Sequence, residues 1–219
     1  MTSRSLGAAG LVLMLIAAVS ASGAPEGQAG QTLDKKVQAF LDKHAGEWRD
    51  LNVPAADGKI LYDLVLKNKY TRALEIGTST GHSGIWIAWA LSKTGGKLIT
   101  VDIDQGRYRE ALANFREAGL DAFIDARLAD AHELVPALPG PFDFVFCDAD
   151  KDWYKKYFVA ILPKLVVGGC FAAHNVSARQ RGWGSGDFVE HVLGLPFMET
   201  TFAEGSRPGL SVSYKRAEK

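Results

Sequence analysis

Five short apolar runs separated by helical windows constrain this chain more than any other feature. "TRALEI" (71–76), "KLITVDI" (97–103), "AFIDARL" (122–128), "FDFVFCD" (142–148) and "VVGGCFAA" (166–173) read as strands that are apolar on both faces. Between them lie amphipathic windows such as "RYREALANFREAGL" (107–120). Strands greasy on both faces and alternating with helices predict a parallel sheet covered by helices. The end differs: "PFMETTFAE" (196–204) and "GLSVSYKR" (209–216), joined through Gly205, Pro208 and Gly209, predict a closing antiparallel hairpin. The expected class is α/β, with a Rossmann-like, seven-stranded, mostly parallel sheet, helices on both faces and a C-terminal antiparallel hairpin. Ligands of such a sheet bind beyond the carboxyl ends of the strands, where strand order reverses.

Before this alternation, "LDKKVQAFLDKHAGEW" (33–48) and "ADGKILYDLVLKNK" (56–69) carry apolar residues at three and four spacing, with Asp34 and Asp57 in capping positions. They read as two lead-in helices, and one domain is expected over 33–219. Residues 1–24 are of another kind. Arg4 precedes the apolar run "LGAAGLVLMLIAAV" (6–19), with Val19 and Ala21 at the small-residue positions before a cut at Ser22. This is the pattern of a secretory signal peptide, so an exported or periplasmic protein is expected. An uncleaved membrane anchor is the alternative, and any membrane association is confined to the N-terminus. The two cysteines, Cys147 and Cys170, fall out of register and read as buried, unpaired thiols. Lys+Arg 25 balance Asp+Glu 25, which argues against a nucleic-acid partner.

The strand ends carry the chemistry. "LEIGTSTGHSG" (74–84) puts Glu75, Gly77, Gly81 and Gly84 at the first strand-to-helix turn, where glycine lets the backbone approach a ligand. The spacing is not the dinucleotide fingerprint, and the G-K-[ST] of a triphosphate site is missing. Asp102 closes the second run, placed to accept hydrogen bonds from both hydroxyls of a ribose. Asp130 closes the third, placed for a base amine. Together these three strand ends read as a nucleoside pocket. The fourth run ends in "DADKD" (148–152), a cluster of charge that a buried strand end tolerates only if it is solvated, paired or bound to a cation.

"VPAADGKIL", "ALEIGTSTGHSG", "ITVDID", "FDFVFCDADKDWY" and "GGCFAAHNV", in this order across residues 50 to 215, resemble the class I S-adenosylmethionine-dependent O-methyltransferases. Within these they resemble the cation-dependent group that includes catechol and caffeoyl-CoA O-methyltransferases. The resemblance implies that Glu75, Gly77, Ser79 and Ser83 lie against the methionine portion of S-adenosylmethionine. It further implies that Asp102 holds the ribose with Ile103 beside the adenine, and that Asp130 and Ala131 face the adenine edge. Asp148 is implied as a metal ligand and Lys151 as the base or orienting cation for the acceptor hydroxyl, leaving Asp150 and Asp152 to cap the next helix. The acceptor implied is a small hydroxylated, catechol-like or phenolic molecule, and the lead-in helices resemble those through which the family dimerises, implying a homodimer.

The family's remaining metal ligands are an Asp-Asn pair, which here reads His174-Asn175. Replacing a carboxylate by imidazole favours zinc, iron, manganese or cobalt over magnesium. Three readings of His174 stay open. It is a ligand in a divalent metal site with Asp148 and Asn175, it is a metal-independent general base, or it is a satisfied loop histidine in a protein that binds cofactor with little turnover. "RQRGWGSGDF" (179–188) reads as a flexible lid in which two readings stay open for each side chain: Trp183 stacks on an aromatic substrate ring or packs on the sheet edge, and Arg179 and Arg181 meet an acidic substrate tail or are solvated loop residues.

Overall fold

The structure, a computed structural model, describes Met1 and residues 26–49, 51–179, 182 and 184–218. Residues 2–24 of the expected leader, Arg181 and Trp183 lie outside the described residues, and no helix among the described residues is long and apolar enough to cross a membrane. The chain order is α1 (Glu26–Lys43), α2 (Ala55–Asn68), β1 (Arg72–Ile76), α3 (His82–Thr94), β2 (Lys97–Asp102), α4 (Gln105–Ala118) and β3 (Ile124–Leu128). There follow α5 (Ala131–Ala137), β4 (Phe142–Cys147), α6 (Tyr154–Ile161), β5 (Leu165–His174), α7 (Ser185–Leu193), β6 (Met198–Phe202) and β7 (Leu210–Lys215).

The seven strands form one sheet in the order β3-β2-β1-β4-β5-β7-β6. β1 to β5 run parallel to one another, while β7 is antiparallel to both β5 and β6. The expected architecture is therefore the observed one. Because side chains alternate across a strand, each apolar run serves two layers. Phe144 and Phe146 of β4 pack with Leu61 and Val65 of α2 and Ile87 and Leu91 of α3. Val145 and Cys147 pack on the opposite side with Tyr154 and Phe158 of α6 and Val189 of α7. Both cysteines are buried and free, with Cys170 paired in register to Phe144 rather than to Cys147.

Two expected caps are corrected. Asp34 lies inside α1, which begins at Glu26, and its carboxylate receives Trp89 Nε1 and Lys93 Nζ from α3. Asp57 sits in the first turn of α2, where Pro54 holds the capping position without a side-chain bond, and Asp57 is itself 1% exposed. Gly58 explains that depth. A Cβ there would lie 2.2 Å from Trp86 Cδ1, so glycine lets α2 press against α3 and carries Asp57 under the sheet's carboxyl edge. The expected lid is corrected in part: Ser185, Gly186 and Phe188 are buried residues of α7, and Arg179 is exposed.

Candidate active site

Strand order reverses between β1 and β4, and the loops that leave these strands touch. Gly77 has φ 99°, and a Cβ on it would lie 2.6 Å from the Asp148 carbonyl oxygen. Only glycine fits this approach. The two loops frame a cavity of about 460 Å³ over the carboxyl ends of the strands.

Gly77, Ser79, Asp102, Ile103, Asp130, Ala131 and Asp148, all singled out in the sequence, line this cavity. Asp102 accepts the backbone N–H of Ser79 on Oδ2 (2.7 Å) and that of Asp104 on Oδ1 (2.8 Å). A carboxylate offers about four lone-pair sites, so acceptor capacity remains for a ligand's hydroxyls. Ile103 is 70% exposed on the cavity wall, an apolar surface suited to a flat ring. Asp130 accepts the N–H of His132 (2.8 Å) at the start of α5.

Glu75 and Ser83 are buried and do not line the cavity. Burial pushes the Glu75 carboxyl up to about 7, against hydrogen bonds from Ser83 and Thr100, and the negative charges of Asp148 and Asp102 act in the same upward direction. Asp150 and Asp152 make no cap of the expected kind. Asp150 leads a single 3-10 turn (Lys151–Trp153) without a side-chain cap bond, and its carboxylate accepts Tyr157 Oη (2.8 Å) and contacts His132 Nε2 (3.0 Å) on the cavity wall.

Behind Asp148 lies a buried polar array. Lys151 Nζ donates to Asp148 Oδ1 (2.6 Å) and to Tyr154 Oη (2.7 Å), and Tyr154 Oη donates to the His174 carbonyl (3.1 Å). His174, 4% exposed, sits between two carboxylates. Its Nε2 is 2.8 Å from Asp57 Oδ2, which also accepts Ser206 Oγ at 3.0 Å. Its Nδ1 is 3.0 Å from Asp148 Oδ2, but out of line for a hydrogen bond, and it is buried without an aligned partner. Burial lowers the proton affinity of the ring, and the contacts with Asp148 and Asp57 outweigh it, so the histidine is held above its usual range. Asn175 follows in the left-handed region (φ 56°), which asparagine tolerates.

Nε2 at 2.8 Å from Asp57 Oδ2 and Nδ1 at 3.0 Å from Asp148 Oδ2 place the ring of His174 between two carboxylates whose charge a protonated imidazolium balances. Asp148, His174 and Asn175 are the residues that could hold a metal. Among the described residues no group of three or more His, Cys, Asp or Glu is arranged to hold a metal, and a site here rests on two such residues and the Asn175 amide.

The O-methyltransferase family profile matches residues 28–183. This chain belongs to the O-methyltransferase family. It is 37% identical over 130 residues to a catechol O-methyltransferase of Niastella koreensis, covering 58% of each chain. It is 30% identical over 146 residues to a caffeoyl-CoA O-methyltransferase of Populus kitakamiensis, covering 64% of this chain and 62% of that one. The chain thus spans about three fifths of the length of these curated relatives. The O-methyltransferase TomG of Streptomyces achromogenes, solved in complex with SAM and involved in tomaymycin synthesis, superposes with a TM-score of 0.69. It is 27% identical, and the match covers 85% of this chain and 90% of that one.

For an O-methyltransferase, sequence reasoning missed Asp57, Tyr154 and His132. Tyr154 stands three residues after Lys151 and His132 two after Asp130, and both spacings were readable. Asp57 lies 117 residues from its partner and carries no local signal.

Proposed function

We propose that this protein transfers the methyl group of S-adenosylmethionine to a hydroxyl of a small catechol-like or phenolic acceptor, assisted by a divalent cation. The observation that carries the reading is the double placement of Asp148, on the cavity wall and in the Lys151–His174 array. One residue thereby joins a nucleoside-shaped cavity to a cluster fit for hydroxyl chemistry. Support comes also from the family match and from the SAM-bound relative.

In the cavity, S-adenosylmethionine supplies an electrophilic methyl group. Asp102 accepts the ribose hydroxyls, Ile103 covers the adenine, and Gly77 gives the close backbone approach. A phenol with pKa near 10 is only about one part in a thousand ionised at pH 7, a deficit of roughly 4 kcal/mol. Asp148, His174 and Asn175 are the residues that would hold a divalent cation, whose positive charge would offset it. Lys151, which like His174 lies outside the cavity lining, holds two of its three donors on Asp148 and Tyr154, and the third would orient an acceptor oxygen placed beside Asp148 and stabilise its developing negative charge. His174 does not line the cavity, so its part in the reaction is to hold Asp148 rather than to touch the acceptor there.

A second reading is metal-independent transfer, with a proton on Nδ1 in place of the cation. The raised proton affinity of His174 favours it. The proposal is tested by incubating the full-length protein with methyl-labelled S-adenosylmethionine and catechol and following label into the phenol ether. Transfer is expected, and cofactor binding without transfer to catechol or to simple phenols contradicts the reading.

A further inference from the structure

The loops that follow β3 and β4 meet at His132. Their strands are not neighbours, because β2 and β1 lie between them in the sheet, and the ends of those two strands bring Asp102 and Gly77 to the cavity. α5 carries His132 back across this gap, with its Val135 in the same core cluster as Tyr157 and Phe158 of α6. The imidazole lies flat on Trp153, with ring centres 3.6 Å apart and planes inclined by 15°. So held, it sets Nε2 3.0 Å from Asp150 Oδ2 and Nδ1 3.5 Å from Asp130 Oδ1. An ionised carboxylate only accepts, so Nε2 donates to Asp150. The other Asp150 oxygen accepts Tyr157 Oη at 2.8 Å. His132, Asp130, Asp150 and Tyr157 all line the cavity.

We propose that His132 is a positioning residue for the cofactor, whose bond to Asp150 clasps the loop after β3 to the loop after β4 and fixes the Asp150 carboxylate on the cavity wall. This rests on the reading of the cavity as the S-adenosylmethionine site. Asp102, Asp130, Asp148 and Asp150 all line it, so the wall is rich in negative charge. Asp130 and Asp150 flank one imidazole, and without that ring between them their like charges push the two loops apart. An exposed carboxylate that has lost its donor also turns among rotamers, and the cofactor then bears the cost of ordering it. Binding therefore suffers before turnover does, since Lys151 and Tyr154 are held by bonds that do not involve His132. The stack on Trp153 aims the ring, and the bond to Asp150 makes the clasp.

The test measures S-adenosylmethionine binding to the full-length protein by calorimetry, and then the kinetics of methyl transfer to catechol. His132→Phe keeps a ring on Trp153 and removes the donor. It is expected to weaken binding about 3- to 10-fold, the range for a hydrogen-bonded pair that is partly exposed. KM for S-adenosylmethionine is expected to rise by the same factor, with kcat changed by less than about 2-fold. His132→Gln still presents an N–H to Asp150 and is expected to recover most of the affinity. In an Asp150→Ala background His132→Phe is expected to cost little, because the partner of the clasp is already gone. Unchanged affinity in His132→Phe, no recovery in His132→Gln, or an equal cost in both backgrounds overturns the role of His132 alone. So does a lowered Tm and kcat with cofactor affinity intact, which marks a purely structural residue. Failure of the wild type to bind S-adenosylmethionine overturns the reading of the cavity as well.

Discussion

Tyr154→Phe removes one oxygen from the centre of the array and little else. The ring is fully buried, edge-on to Phe188 at 6.1 Å, and phenylalanine fills the same space. What goes is the acceptor of Lys151 Nζ at 2.7 Å and the donor to the His174 carbonyl at 3.1 Å. Each hydrogen bond contributes about 1 kcal/mol net, and a buried group left short of a partner raises the cost, so a loss of about 2–3 kcal/mol is expected. For a domain of this size that lowers Tm by roughly 4–12 °C. Lys151 retains its bond to Asp148, so the ammonium stays in the site but is less tightly fixed, and kcat is expected to fall about 10-fold. Tyr154 does not line the cavity, and cofactor affinity is expected to stay unchanged. The assays are thermal unfolding, calorimetric titration with S-adenosylmethionine and methyl-transfer kinetics. A variant with unaltered Tm and kcat refutes the reasoning, as does one whose main defect is in cofactor binding.

Three further outcomes follow from the same geometry. Gly77→Ala puts a methyl group 2.6 Å from the Asp148 carbonyl and a side chain at φ 99°, so the two loops must part. Cofactor affinity is expected to drop at least 10-fold and stability by about 1–2 kcal/mol, read by calorimetry and denaturant unfolding. Asp102→Ala removes the ribose acceptor and is expected to weaken S-adenosylmethionine by about 10-fold or more, with the fold intact by circular dichroism. His82, 2% exposed, donates Nδ1–H to Val53 O and accepts from Trp86, and burial lowers its pKa to about 4 despite the opposing bond to Val53. Its unfolded form binds a proton near 6.5, so the stability it contributes is present above that pH and is lost as pH falls toward 4, by about 3 kcal/mol in all. Glu75, pushed up to about 7, acts in the opposite sense. The pH dependence is therefore read as the difference between wild type and His82→Gln, in which Glu75 is common to both, and a flat difference contradicts it.

The sheet was legible because its signal is local. β1, β2, β4 and β5 are mostly apolar runs of five to ten residues that end in a turn or polar residue, and such a run has few other homes, while the edge strands β3 (IDARL) and β6 (METTF) are more polar. Gly119 ends α4 in the left-handed region, one residue inside the helical window read over 107–120. What the sequence hid is long-range. Asp57 and Asp34, both near the start of an amphipathic run, look like caps, and only the packing of α2 and α1 on α3 shows that they are tertiary partners. Asp150 likewise looks like a cap until Tyr157 and His132 are brought to it. The histidine at 174 was visible as a departure from the acidic ligand of the resembled family. Asp57, which meets the Nε2 of that ring, was not, because it lies 117 residues earlier in the chain.

The most direct measurement of the central claim is methyl transfer to catechol by the full-length protein after exhaustive chelation, then with magnesium, manganese, zinc or ferrous iron restored singly. The account predicts that transfer is lost on chelation and returns with manganese, zinc or iron more strongly than with magnesium. Undiminished transfer after chelation, with no bound metal by elemental analysis, would contradict it.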